Sequence, residues 1–373
     1  MWCHCPQPHV GLWSLPGVSL SCGLDWIKVC VLSPTPAPGF IKSHCVRADN
    51  AGGCLCCPFL SGTMATNSIL KKTRALLRIR NQLARECLAE LLAVFVLILI
   101  TLGGSAQMLT SSGTKGNILT ANLAGALAVM VAIYTAGGVS GAHLNPAFSL
   151  AMCLVEQLPW WKFPIFVTVQ TLAAFISAGA VYALYSDAIQ HYSNGTLTVS
   201  GPRETASIFA TYPADYLSIS NGFLDQVMGT AVLILGIQAI VDTQNKGIPK
   251  GLEPVAVALL VFSIEVSMGS NCGCPMNPAR DFGPRLFTYV GGWGAEVFSR
   301  GNGWWWVPVV APLVGATLGS VLYQLLVAFH HPEEEDKPPD THNALVLVSS
   351  AIPPDITGSP MEKDAKRVLA QKM

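Results

Sequence analysis

The chain has 373 residues, 51% of them hydrophobic and only 12% charged, and its formal net charge is zero. A soluble globular domain carries about 25% charged residues, so this composition points to a membrane and away from an ordinary aqueous fold. A neutral balance without a basic stripe gives no footing to a nucleic-acid partner.

Residues 1–63 differ in character from the rest of the chain. Eight of the twelve cysteines fall within the first 57 positions, among scattered Trp and Pro. The stretch has neither helical nor strand period, and it lacks the basic start and clean apolar run of a signal peptide. It is expected to be an atypical, disordered extension. Chelation by Cys3, His4 and Cys5 is the alternative, but no CxxC pair recurs at the spacing of a zinc site, so no metal or cofactor is expected. Residues 64–85 form a basic segment, with Lys71, Lys72, Arg74, Arg78, Arg80 and Arg85 and no acidic residue among them.

Six mostly apolar runs come next, over 86–109, 118–139, 163–185, 223–241, 252–271 and 304–329. At ~1.5 Å per residue each can cross ~30 Å of hydrocarbon as a helix. The basic segment before the first run belongs on the cytoplasmic side, and an even number of spans then places both termini there. The 242–251 connection, with Lys246 and Lys250, falls inside as well. The 186–222 connection falls outside and carries the sequon Asn194-Gly195-Thr196, a glycosylation acceptor on the side where glycans are added. The expected channel domain is 86–330. The tail over 331–373, beginning with "PEEEDKPPDTH" after His331, is polar and expected to be disordered in the cytoplasm.

One tripeptide occurs twice. Asn145-Pro146-Ala147 follows the second span and Asn277-Pro278-Ala279 follows the fifth, 132 positions later (277 − 145). After each comes an apolar stretch too short to cross, 146–154 and 278–290. Proline suits the first turn of a helix, where its missing N–H has no partner to lose, and asparagine suits the N-cap before it. Each motif therefore reads as the start of a re-entrant half-helix. The segments "AELLAVFVLIL" (89–99) and "DQVMGTAVLIL" (225–235) also match, setting Glu90 against Gln226. Three spans and a half-helix occur twice, and an odd number of spans per half inverts the second copy. The two half-helices then meet near the midplane. Each aims about half a unit of positive charge at that point. Asparagine amides there can donate to a passing hydroxyl, while a cation meets an unfavourable field.

"SGAHLNPAFSLAMC" and "MNPARDFGPRLFT" resemble the two pore loops of the major intrinsic protein family, the aquaporins. Asp281, directly after Arg280, together with "SIFATYP" (207–213) and "GWGAEVF" (292–298), resembles the glycerol-conducting branch. The resemblance covers about 68–332. It implies an all-α membrane protein with six transmembrane helices and two half-helices in an inverted 3+3 repeat. It also implies a homotetramer in the lipid of the plasma membrane, with one pore per subunit. Each pore would pass water, glycerol and other small polyols or urea without covalent chemistry. The family's narrow filter maps onto Gly125, Glu265, Cys274 and Arg280. Gly125 and Cys274 are small, which favours a wide opening. Glu265 departs from the pattern, since the branch has glycine there and water-selective members have histidine. A carboxylate within a span costs about 2.5–3.5 kcal/mol unless it finds a partner. Either Glu265 pairs with Arg280 and narrows the filter, or it turns to backbone donors and leaves the pore open.

Three further residues fall near the first loop. Glu90 is expected to accept hydrogen bonds from pore-loop amides. His143 titrates near physiological pH and could gate the cytoplasmic mouth or simply pack the loop, and Phe148 would constrict the same mouth. Two rivals stay open. A coupled transporter would use titratable groups such as Glu90 and Glu265 and would saturate, whereas a channel would not. A non-conducting structural protein would have an occluded filter.

Overall fold

A computed structural model describes residues 69–332. The expectations for residues 1–63, and for the tail beyond 332, lie outside the described residues. The chain divides into two units between Leu77 and Arg78. Of the first, residues 69–77 are described and are helical. The second unit holds the remaining described residues.

Eight helices organise that unit: α1 (Gln82–Thr110), α2 (Ile118–Ser140), α3 (Pro146–Leu154), α4 (Phe163–Ser193), α5 (Ile219–Val241), α6 (Glu253–Met268), α7 (Pro278–Thr288) and α8 (Val307–Leu326). A short, broken helical stretch, Glu296–Gly303, precedes α8. Six of the helices, with their flanking turns, are long and apolar enough to cross a membrane. The two that are not, α3 and α7, are the half-helices that begin at the repeated tripeptides.

Helix starts follow local chemistry closely. Asn117 caps α2 by accepting from the Thr120 amide at 3.1 Å, while its own amide donates to the Thr120 hydroxyl at 2.8 Å. Helix ends follow hydropathy less well. The apolar run expected to stop at 185 continues as helix to Ser193, where Asn194 closes it in the left-handed region (φ 53°). Ser186, Asp187, Gln190 and His191 extend the helix past the apolar layer, because backbone hydrogen bonding and not greasiness sets its length.

Small residues let the helices approach one another. Ala93, Ala128, Ala132, Ala173, Ala174 and Ala178 are fully buried between α1, α2 and α4. In the other half α8 crosses α5 at Gly315, where an added Cβ would lie 2.9 Å from the Thr230 Cβ and 3.1 Å from the Val227 Cα. Such contacts substitute for the hydrophobic drive that lipid does not supply. Large apolar side chains, among them Leu88, Leu92, Leu127, Leu172, Leu259 and Val310, are instead exposed on the outside. An outer face this apolar is suited to lipid and not to water.

The inverted halves agree in backbone as well as sequence. Ala142 and Leu144 (φ 50° and 61°) and Cys274 and Met276 (φ 44° and 42°) all lie in the left-handed region. The offsets 274 − 142 and 276 − 144 are both 132, the spacing of the two asparagines.

Candidate functional site

The half-helices meet start to start. Asn145 accepts from the Ala147 amide at 2.8 Å, and its Nδ2 donates to the carbonyl of Met276 at 2.9 Å. Asn277 accepts from the amides of Ala279 (3.0 Å) and Arg280 (3.2 Å), and its Nδ2 donates to the carbonyl of Leu144 at 2.9 Å. Each asparagine thus caps its own half-helix and holds the loop of the other. Pro146 and Pro278 occupy the first helical turns. Both asparagines also line a cavity of about 430 Å³ that runs along the bundle interior. One amide hydrogen of each is spent across the halves, which leaves the second for whatever fills the cavity.

Two side chains from the α1 and α5 interiors hold the loops. Glu90, fully buried, accepts from the amides of His143 and Leu144 at 2.8 Å each, from the Ser140 hydroxyl at 2.6 Å and from Gln170 at 3.0 Å. Among the described residues the side chain of its counterpart Gln226 accepts only from the Met276 amide, at 3.2 Å. Its Nε2 turns to Asp225 and to the sulfur of Cys272. The His143 ring packs edge-on against Phe148 and Phe166, with Nδ1 3.1 Å from the Ser149 hydroxyl. His143 and Phe148 both line the cavity.

Gly125, Glu265, Cys274 and Arg280 line the same cavity, from α2, α6, the second loop and α7. The pairing of Glu265 with Arg280 that their charges suggest is not formed. No ion pair joins them. Arg280 instead donates from Nη1 to the carbonyl of Phe209 at 2.8 Å. Nor does Glu265 turn to backbone donors, for Oε2 is enclosed without any hydrogen-bond partner among the described residues. The carboxyl leans across to α2. A Cβ on residue 125 would lie 3.2 Å from Oε1 and 3.5 Å from Oε2, so glycine there makes the approach free of strain. The space that Gly125 opens is taken up by Glu265.

Asp281 works one layer behind. It is fully buried, accepts from Arg285 Nε at 2.9 Å and Nη2 at 2.7 Å, and accepts from the Thr211 amide at 2.8 Å. Arg285 reaches on to the carbonyls of Val297 and Thr211. The pair ties α7 to the 205–213 loop, and that loop supplies Phe209 to Arg280. Tyr212 lies between two guanidinium groups, 4.8 Å from Arg285 and 4.3 Å from Arg300. Burial pushes its phenol up to about 12, so it stays neutral there. Sequence reasoning does not find Phe209, Thr211 or Arg300. The i, i+4 spacing of Asp281 and Arg285 within an apolar stretch is the one signal that points to this layer.

The family profile of the major intrinsic proteins matches residues 78–323. The chain belongs to the major intrinsic protein family. Among similar members, human aquaporin-10 is 66% identical over 268 residues, covering 72% of this chain and 89% of that one. Human aquaporin-9 is 48% identical over 277 residues, covering 72% and 94%. The X-ray structure of the aquaglyceroporin from Plasmodium falciparum aligns with a TM-score of 0.60 at 28% identity, over 66% of this chain and 98% of that one. The architecture is the aquaporin fold, and this major intrinsic protein is a multi-pass membrane channel, not an enzyme.

Proposed function

We propose that this chain is a glycerol-conducting channel whose filter is trimmed by Glu265. The observation that carries this reading is the reciprocal pair of asparagines, each donating across the halves while facing the cavity. Water and small polyols, with urea, move down their gradients past Asn145 and Asn277. Arg280 holds solute oxygens and repels cations at the narrow stretch with Gly125 and Cys274. The Asp281–Arg285 pair, by fixing the loop that holds Arg280, supports the filter from behind.

The basic residues before α1 put both termini in the cytoplasm of a cell whose plasma membrane holds the channel. Asn194 is then outside, exposed at the end of α4, and able to carry a glycan. One chain's residues enclose the cavity, so in the homotetramer that the family resemblance implies, each subunit conducts alone.

Stopped-flow light scattering on vesicles holding the channel tests the reading. Glycerol should enter faster than into empty vesicles, with a low activation energy and no saturation. Glu265→Gly, by clearing the space beside Gly125, should raise glycerol permeability by roughly three- to tenfold, the rate equivalent of about 1 kcal/mol off the barrier. An unchanged or lower rate at equal protein density refutes the trimming.

His143 gives the cytoplasmic mouth a response to acid. Protonation adds a charge to a ring that packs edge-on against Phe148 and Phe166 at the cavity wall, and so changes what the mouth presents to a solute. Glycerol flux should therefore change between about pH 7.5 and 5, and His143→Ala should flatten the profile. A variant profile that matches the parent removes the idea.

A further inference from the structure

The Glu265 carboxyl is the one feature of the filter that the family pattern does not supply. It lines the cavity beside Gly125; Oε2 is enclosed and accepts no hydrogen bond from any described residue, which leaves Oε1, on the Gly125 side, to meet a solute. Across the same cavity Arg280 spends Nη1 on Phe209, and the other N–H groups of its guanidinium have no acceptor among the described residues. One wall of the narrow stretch therefore holds an acceptor without a donor, and another holds donors without an acceptor.

We propose that Glu265 is a solute-binding group, accepting an N–H or O–H from a solute whose own oxygen is held by Arg280. The inference rests on the channel reading above. A solute sheds water to pass a narrow stretch, and the barrier falls where the wall replaces the lost hydrogen bonds. A solute that both accepts and donates satisfies the two groups together. A solute that only accepts satisfies Arg280 and leaves the carboxyl stripped of water, which a site built to be hydrogen-bonded rejects strongly. The filter thus selects by donor capacity as well as by width. The preferred class is small amides and polyols over aprotic solutes of the same size.

Acetamide and dimethyl sulfoxide test this, being similar in size and each offering one oxygen to Arg280, while only acetamide donates. Their permeabilities are measured in vesicles containing the full chain, with the rates of empty vesicles subtracted. The parent should favour acetamide by at least about fivefold, the effect of one unmade hydrogen bond. Glu265→Gln and Glu265→Leu keep the bulk of the side chain, so they keep whatever narrowing it causes. Both should bring the ratio toward one, and because it is a ratio, the amount of folded protein cancels. If the leucine variant fails to fold, the near-isosteric glutamine variant decides. A parental ratio in the variants overturns the proposal even if Glu265→Gly raises glycerol flux, because trimming by bulk would then be the whole effect. A reduced ratio sustains it even if Glu265→Gly leaves glycerol flux unchanged. A parent that conducts glycerol but neither of these solutes overturns this inference alone, whereas one that conducts no glycerol either overturns the glycerol reading on which it rests.

Discussion

Asp281→Ala should lower the stability of the channel in detergent by about 3–5 kcal/mol, read as a large fall in the unfolding midpoint. The substitution leaves the Arg285 guanidinium fully buried with its charge uncompensated, held only by the carbonyls of Val297 and Thr211. It also frees the amide of Thr211, and with it the loop whose Phe209 carbonyl holds Arg280. Loss of glycerol flux should accompany the loss of stability. The double variant Asp281→Leu with Arg285→Met should recover part of the stability, because removing both charges avoids stranding either one. A midpoint for Asp281→Ala within a degree or so of the parent would show that the pair is dispensable.

Glu90→Ala should abolish conduction. Four donors converge on this carboxylate, two of them loop amides. Each donor left unmade in the interior costs about 1–3 kcal/mol. The adjoining residues Ala142 and Leu144 are held in left-handed backbone, a conformation that costs about 1–3 kcal/mol per residue and persists only where the surroundings enforce it. Without Glu90 the loop relaxes, the Leu144 carbonyl leaves Asn277, and the meeting of the half-helices is lost. Vesicles with the variant should take up glycerol no faster than empty ones. Gln226→Ala removes the contacts with the Met276 amide and the Cys272 sulfur but should be milder, because Asp225 still holds Asn271 and Cys272. Equal damage from the two would contradict the asymmetry of the anchors.

The number of spans and the starts of the half-helices were legible because they depend on local features: run length, a capping asparagine and a proline in the first turn. Helix ends were not, as α4 shows, because they depend on where hydrogen bonding stops and not on where the apolar layer stops. Within the site, the residues that meet at the tripeptides could be named from their repetition. The fate of Glu265 could not. Two opposite charges in an apolar chain suggest a pair, yet the preferred partner of Arg280 is the carbonyl of Phe209, 71 positions earlier in an irregular loop. Nothing in residue type marks that carbonyl, so the geometry of a loop decided what charge alone could not.

The two loops are moored in different ways. Glu90 clamps one jaw through two backbone amides, and Gln226 grips the other through one amide and the sulfur of Cys272. The second jaw, which carries Cys274 and Arg280, is moored further by Asp225, which accepts from Asn271 and Cys272. One jaw thus hangs chiefly on a single side chain and the other is shared among several, so one substitution can unseat the first and not the second.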